Sequence, residues 1–119
     1  QAFANAGADI VFVEAPESVE EMTEICHKID CPLMANMVDG GRTPLLTAEQ
    51  LKDIGYQIAI FPGTAFLAAG SAVESVYKHL KTTGSSEGLS TPLYNFEEFN
   101  RLMGFEDVWA FEKKWTDPS

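Results

Sequence analysis

The sequence predicts an α/β fold of three consecutive β/α units with parallel strands, followed by a helical tail. Three observations carry that expectation. Short continuous apolar runs recur in "ADIVFVEAP", "CPLMANMV" and "YQIAIFPG", a pattern that suits strands buried on both faces of a parallel sheet. Helix-start chemistry follows each run after a short turn. The order β-α-β-α-β-α then proceeds with no internal repeat of the solenoid type. Two architectures satisfy this order: a small open sheet, or a slice of a (β/α)8 barrel. A lone three-stranded parallel sheet would leave two edges unpaired and its faces only partly covered, which makes it a poor independent domain.

The first residues, Gln1 to Ala6, read as the last turns of a helix stopped by Gly7. A chain that opens inside a helix is expected to be preceded by more protein. Ile10 to Val13, bounded by Asp9 and Pro16, form the first strand. Ser18 and Glu21 have capping-box spacing, and their helix should turn Val19, Met22, Ile25 and Ile29 inward. "PLMANMV" is the second strand. Thr47 and Gln50 form a second capping box opening "AEQLKDIG", with Gly55 as its stop. "YQIAIFPG" is the third strand, and Thr64–Lys81 is a long helix ended by the polar "TTGSSEGLS" linker. Asn95 caps a tail helix with Glu98 at its third position, and "EDVWAFEKKW" closes the chain. Phe96, Phe99, Trp109, Phe111 and Trp115 are expected to be packing residues of that tail. Residues 1–83 thus form the β/α units, and residues 84–119 the linker and tail of the same domain.

Composition narrows the class of function. The chain has 119 residues, 45% of them hydrophobic, and no apolar run near the roughly 20 residues that span a bilayer. Eight Lys+Arg against eighteen Asp+Glu give a net charge of −10. That balance argues against nucleic acid and anionic membrane as partners, because both reward basic surface. An anionic substrate would need a local cation such as Mg²⁺ to overcome the field. Cys26 and Cys31 lack the Cys or His companions of a zinc site, and read as reduced thiols of a cytoplasmic protein.

Functional groups of parallel α/β folds gather at the carboxyl ends of the strands. Those ends here are Glu14 in "FVEAP", Asn36 in "MANMV", and the "FPGT" turn. Glu14 suits a base, an acceptor for a substrate hydroxyl, or a partner of metal-bound water; alternatively it meets solvent or caps a helix. Asn36 suits a grip on a substrate carboxylate through its amide N–H, or an Asx turn that starts the loop. In "DGGRTP", two glycines permit close backbone approach, and Arg42 is the single cation available to an anion. The loop lacks the Lys-Ser/Thr of a nucleotide-binding loop. The helix starting near Thr64 offers free N–H groups and a positive dipole end, and its "LAAGSA" patch lets another helix approach closely. His27 and His79 lie on helices away from strand ends and receive no role. No nucleophile–base pair or metal triad is visible, so the active site is incomplete within this sequence.

Taken together, "GADIVFVEAP", "MANMVDGGRTPL" and "FPGTAF" resemble the isocitrate lyase/phosphoenolpyruvate mutase superfamily, over essentially the whole chain including "FNRLMGFEDVWAFEKKW". The branch with dimethylmalate lyase, oxaloacetate-cleaving enzymes and carboxyphosphonoenolpyruvate mutase is the most similar. The resemblance implies a C-terminal slice of a (β/α)8 TIM-type barrel: strands six, seven and eight plus the helical tail. It implies a homotetramer in which Thr64–Lys81 is exchanged between subunits. It implies Mg²⁺ holding an α-oxo or α-hydroxy carboxylate and stabilising the enolate formed when a C–C or P–C bond breaks. The metal ligands and the catalytic loop would lie upstream of this chain. Glu14 matches a catalytic position that meets substrate or metal-bound water, Asn36 a substrate-binding position, and Arg42 a basic position without an assigned step. Methylisocitrate lyases have arginines where this chain has Leu67 and Phe96, which points to a smaller dicarboxylate substrate. The expectation is therefore a lyase of small 2-hydroxy or 2-oxo dicarboxylates. P–C bond chemistry is the alternative within the family, and a non-catalytic α/β module the alternative outside it.

Overall fold

The computed structural model describes residues 1–116, which fall into two compact units divided at Val73/Glu74. In the first unit the expected β/α alternation is present. Helix α1 (Ala2–Asn5) precedes β1 (Val11–Phe12), α2 (Val19–Lys28), β2 (Leu33–Asn36), α3 (Ala48–Ile54), β3 (Ile58–Ile60) and the first part of α4 (Thr64–Thr83). The strands form one parallel sheet in the order β1-β2-β3. Val11 pairs with Leu33, and Ala35 with Ala59.

Helix starts follow the side-chain chemistry. Thr47 and Gln50 satisfy each other's amides in a complete capping box, and Gly55 ends α3 at φ 115°. Ser18 accepts from the Glu21 amide at 3.1 Å, but the Glu21 carboxylate accepts from Glu17 N–H at 2.7 Å rather than from Ser18 N–H. The reciprocal half of this box has moved one residue outward. Asn95 likewise accepts from Glu97 N–H at 2.8 Å.

Side-chain alternation along the strands separates two faces. Val11, Leu33 and Ala35 point toward the helices, where Met22 of α2 and Leu51 of α3 close over them. Met22, Leu33, Met37 and Leu51 are the largest fully buried side chains, each contributing about 1.5–3 kcal/mol of apolar burial. The opposite face carries Ile10, Phe12 and Ile60, which remain 47%, 41% and 37% exposed. The expectation of strands covered on both faces is thus met on one side only. The reason is topological: within the first unit, no element lies across the second face.

Register between β2 and β3 has a side-chain lock. Gln57 Oε1 accepts from Leu33 N–H at 2.7 Å, its Nε2 donates to Gly55 O at 2.7 Å, and its own N–H donates to Leu33 O at 3.1 Å. A one-residue slip would break both bonds to Leu33 and turn Leu33 out of the core.

The second unit runs from Glu74 through the end of α4 to α5 (Phe96–Leu102) and α6 (Phe105–Trp115). Gly104 at φ 76° makes the corner between α5 and α6, a conformation that excludes most side chains. Arg101 braces that corner, 3.9 Å from Glu97 and 3.3 Å from Glu106. Thr91 Oγ1 donates to Ser75 Oγ at 3.0 Å, attaching the linker to α4. The tail aromatics form tilted pairs, Phe105–Trp109 and Phe111–Trp115, yet Phe96 and Trp115 are 79% and 67% exposed. None of the residues of α4, α5 or α6 is buried. Among the described residues of this unit the tail aromatics are therefore not buried as expected, because two short helices have no core of their own to close around them.

Candidate functional site

The ends of β1 and β2 converge on one hollow of about 380 Å³. Glu14 enters it just after β1, Asn36 as the last residue of β2, and Arg42 from the loop that follows. Sequence reasoning singled out all three, and the fold brings all three to the same cavity. The "FPGT" turn does not line it.

Each side chain is aimed by local backbone chemistry. Glu14 precedes Ala15, the one non-glycine residue at positive φ (50°) among those described. That left-handed turn costs an alanine roughly 1 kcal/mol or more. It stands between exposed Glu14 and buried Pro16, just past the end of β1. Asn36 is fixed by its ladder position opposite Ile60 and by the Met37 N–H bond to Ile60 O at 2.8 Å. Its Oδ1 is buried without a hydrogen-bond partner, the single such side-chain atom among the described residues. A buried amide oxygen left unpaired costs about 1–3 kcal/mol, so this atom calls for a ligand. An Asx turn would have occupied it with a backbone amide, and none is bonded to it.

The 38–43 loop is held at both ends. Gly41 N–H donates to Val38 O at 3.0 Å, and a Cβ on Gly41 would sit 3.1 Å from that same oxygen. Gly40 adopts φ 77°. Asp39 accepts a hydrogen bond from the Thr64 hydroxyl at the start of α4. The anion at that helix start is thus this chain's own carboxylate, a favourable partner for the dipole. Arg42 Nη1 lies 3.1 Å from Glu17 Oε1. Glu17 and Asp39 escaped the sequence reading because each acts on a residue 25 positions away, and no local spacing signals such a partner.

Tyr56 also lines the hollow. Burial pushes its phenol up to about 12, with the neighbouring Cys26 adding to the shift. Burial also raises the Cys26 thiol. Both groups are therefore neutral near pH 7 and supply no charge to the site. Among the described residues, no three His, Cys, Asp or Glu side chains come together as a metal cage. One carboxylate and one orphaned amide oxygen suit instead the outer contacts of a metal-bound water or of a substrate.

A family model described as phosphoenolpyruvate phosphomutase matches residues 1–81. The 2,3-dimethylmalate lyase of Eubacterium barkeri is 40% identical over 115 residues, covering 97% of this chain and 40% of that enzyme. The 2-methylisocitrate lyase of Aeropyrum pernix is 40% identical over 119 residues, 100% of this chain and 38% of that enzyme. A crystal structure of 2,3-dimethylmalate lyase superposes with a TM-score of 0.81 at 29% identity, over 97% of this chain and 40% of that one. An oxaloacetate acetylhydrolase bound to 3,3-difluorooxalacetate does so with a TM-score of 0.82 at 25% identity, over 95% and 38%. The chain thus spans about 40% of the length of these relatives.

Proposed function

Because the chain belongs to the phosphoenolpyruvate phosphomutase family, we propose that it is the C-terminal part of a Mg²⁺-dependent lyase cleaving a C–C bond in small 2-hydroxy or 2-oxo dicarboxylates. In this reading residues 1–83 are the last three β/α units of a (β/α)8 barrel, and residues 84–119 its linker and tail. The open sheet face with Ile10, Phe12 and Ile60 supports that reading, since in a barrel it would face the packed interior. The complete protein is a cytoplasmic homo-oligomer associating through Thr64–Lys81. Support comes from α4, which has no buried residue, and from Gly70, where an added Cβ would touch nothing.

The observation that carries the function is the orphaned Asn36 oxygen in a cavity shared with Glu14 and Arg42. A terminal amide offers an acceptor and two donors, and a 2-hydroxy acid brings a hydroxyl and a carboxylate to match them. Asn36 holds the substrate at that end. Glu14 accepts the hydrogen of the substrate hydroxyl or of a metal-bound water, keeping its position without itself ligating the ion. Arg42 meets the second carboxylate. Mg²⁺, held by residues outside this chain, supplies stabilisation of the enolate that bond cleavage leaves.

Substrate size rests on two positions. Leu67, in the first turn of α4, and Phe96, at the start of α5, are apolar and 53% and 79% exposed. Neither can pair with a third carboxylate, so a substituted malate or oxaloacetate fits better than a tricarboxylate. Overall identity does not decide this, because the dimethylmalate and methylisocitrate enzymes are equally similar. P–C bond chemistry is the second reading, favoured by the description of the matching family model. The test is Asn36→Ala in the complete enzyme. A charge-assisted hydrogen bond is worth about 1.5–3 kcal/mol, so kcat/KM should fall at least roughly tenfold. A fall of less than about threefold would remove Asn36 from the binding role.

A further inference from the structure

We propose that Glu17 tempers dicarboxylate binding at this cavity, by holding Arg42 as its ion partner and yielding it only to a substrate's second carboxylate. The inference rests on the dicarboxylate reading above. Arg42 is the only cation among the residues lining the cavity, and Glu17 is not among them. The guanidinium is nevertheless tied to Glu17 across 3.1 Å. The cation therefore stands at the mouth with its charge already partly answered.

The pair has the properties of a releasable one. Its side chains are 78% and 60% exposed, so solvent screens it and a competing carboxylate can replace Glu17 at small cost. The backbone next to Arg42 is Gly40-Gly41, with Gly40 at φ 77°. On the far side of those glycines, the Asp39–Thr64 bond and the Gly41–Val38 turn anchor the loop. Arg42 can thus change partner while the loop keeps its seat.

This tempering follows from what each ligand brings. A monocarboxylate bound at Asn36 has nothing to exchange for Glu17 and leaves the pair intact. A dicarboxylate presents a second anion at the mouth and recovers the Arg42 interaction. Glu17 thus lowers affinity for dicarboxylates by the cost of breaking one exposed pair, and it keeps Arg42 from collecting other anions.

The test uses the full-length protein, with malate as the dicarboxylate probe and lactate as the 2-hydroxy monocarboxylate, bound in the presence of Mg²⁺ and measured by calorimetry. In Glu17→Gln, the malate Kd should fall about two- to fivefold, the range an exposed pair allows. Lactate affinity should stay within about 1.5-fold. In an Arg42→Gln background, Glu17→Gln should no longer tighten malate. Equal tightening of malate and lactate, or persistence of the effect without Arg42, would show that Glu17 acts only as a bare negative charge and would overturn the proposal. An unchanged malate Kd in Glu17→Gln overturns it too. If Asn36→Ala still weakens malate in that case, the dicarboxylate reading stands alone; if wild type binds no malate, both fall.

Discussion

Replacing Asn36 should separate stability from binding, because its buried oxygen is unsatisfied in the free protein. An unpaired buried polar atom costs about 1–3 kcal/mol. Asn36→Ala removes that penalty and opens a void of roughly 30 Å³, which at about 24 cal/mol per Å³ costs about 0.7 kcal/mol. The sum is a free protein that is unchanged or up to about 2 kcal/mol more stable. The main-chain bond from Met37 N–H to Ile60 O at 2.8 Å is untouched by the change. Ligand-induced stability should move the other way. At a malate concentration 100 times the wild-type Kd, binding adds about 2.7 kcal/mol. A variant with tenfold weaker binding would gain only about 1.4 kcal/mol at the same concentration. Urea unfolding of the full-length protein with and without malate reads both quantities. Destabilisation of the free variant by more than about 1 kcal/mol, with the full malate gain retained, would refute the reasoning. It would make Asn36 a structural turn residue.

Other outcomes follow from the frame around the site. Gln57→Ala removes two part-structural bonds of 2.7 Å between β2, Gly55 and the Gln57 side chain, and should lower unfolding free energy by about 1–3 kcal/mol, read by denaturant midpoint. Gly55→Ala forces a Cβ to 3.1 Å from the Cys26 Cβ at φ 115°, and should cost roughly 1–3 kcal/mol in the same assay. Tyr56 gives a pH signature: its phenol is pushed up to about 12 by burial, above the ordinary value near 10. The native state then binds this proton more tightly than the unfolded one. Its contribution is fully present below pH 10 and lost as pH rises through about 12. Tyr56→Phe should flatten the decline of stability across that window while changing stability at pH 7 little.

Much of the frame was legible because it is written in local chemistry. Thr47 and Gln50 announce their capping box within four residues, and Gly55 is needed for a left-handed stop at φ 115°. The apolar runs gave the three strands and their parallel order. Glu14, Asn36 and Arg42 were reachable by one rule, that chemistry collects at strand ends. Whether those residues share a cavity was not legible, since it depends on how far each strand reaches before its turn. The partners Glu17 and Asp39 were hidden for a related reason, as their contacts join loops far apart in sequence. The left-handed Ala15 carries no glycine to flag it. Aromatic content also misled in the tail: Phe96 and Trp115 look like core residues, yet exposure depends on what lies opposite, which composition does not record.

One measurement tests the central claim most directly. The full-length protein, with Mg²⁺, is given 2,3-dimethylmalate, oxaloacetate, 2-methylisocitrate and phosphoenolpyruvate in parallel, and products are followed by proton and phosphorus NMR. C–C cleavage of one of the two smaller dicarboxylates, with kcat/KM at least about tenfold above that for 2-methylisocitrate, is the expected result. Preference for the tricarboxylate, or formation of a P–C bond from phosphoenolpyruvate without cleavage of either smaller acid, would contradict it.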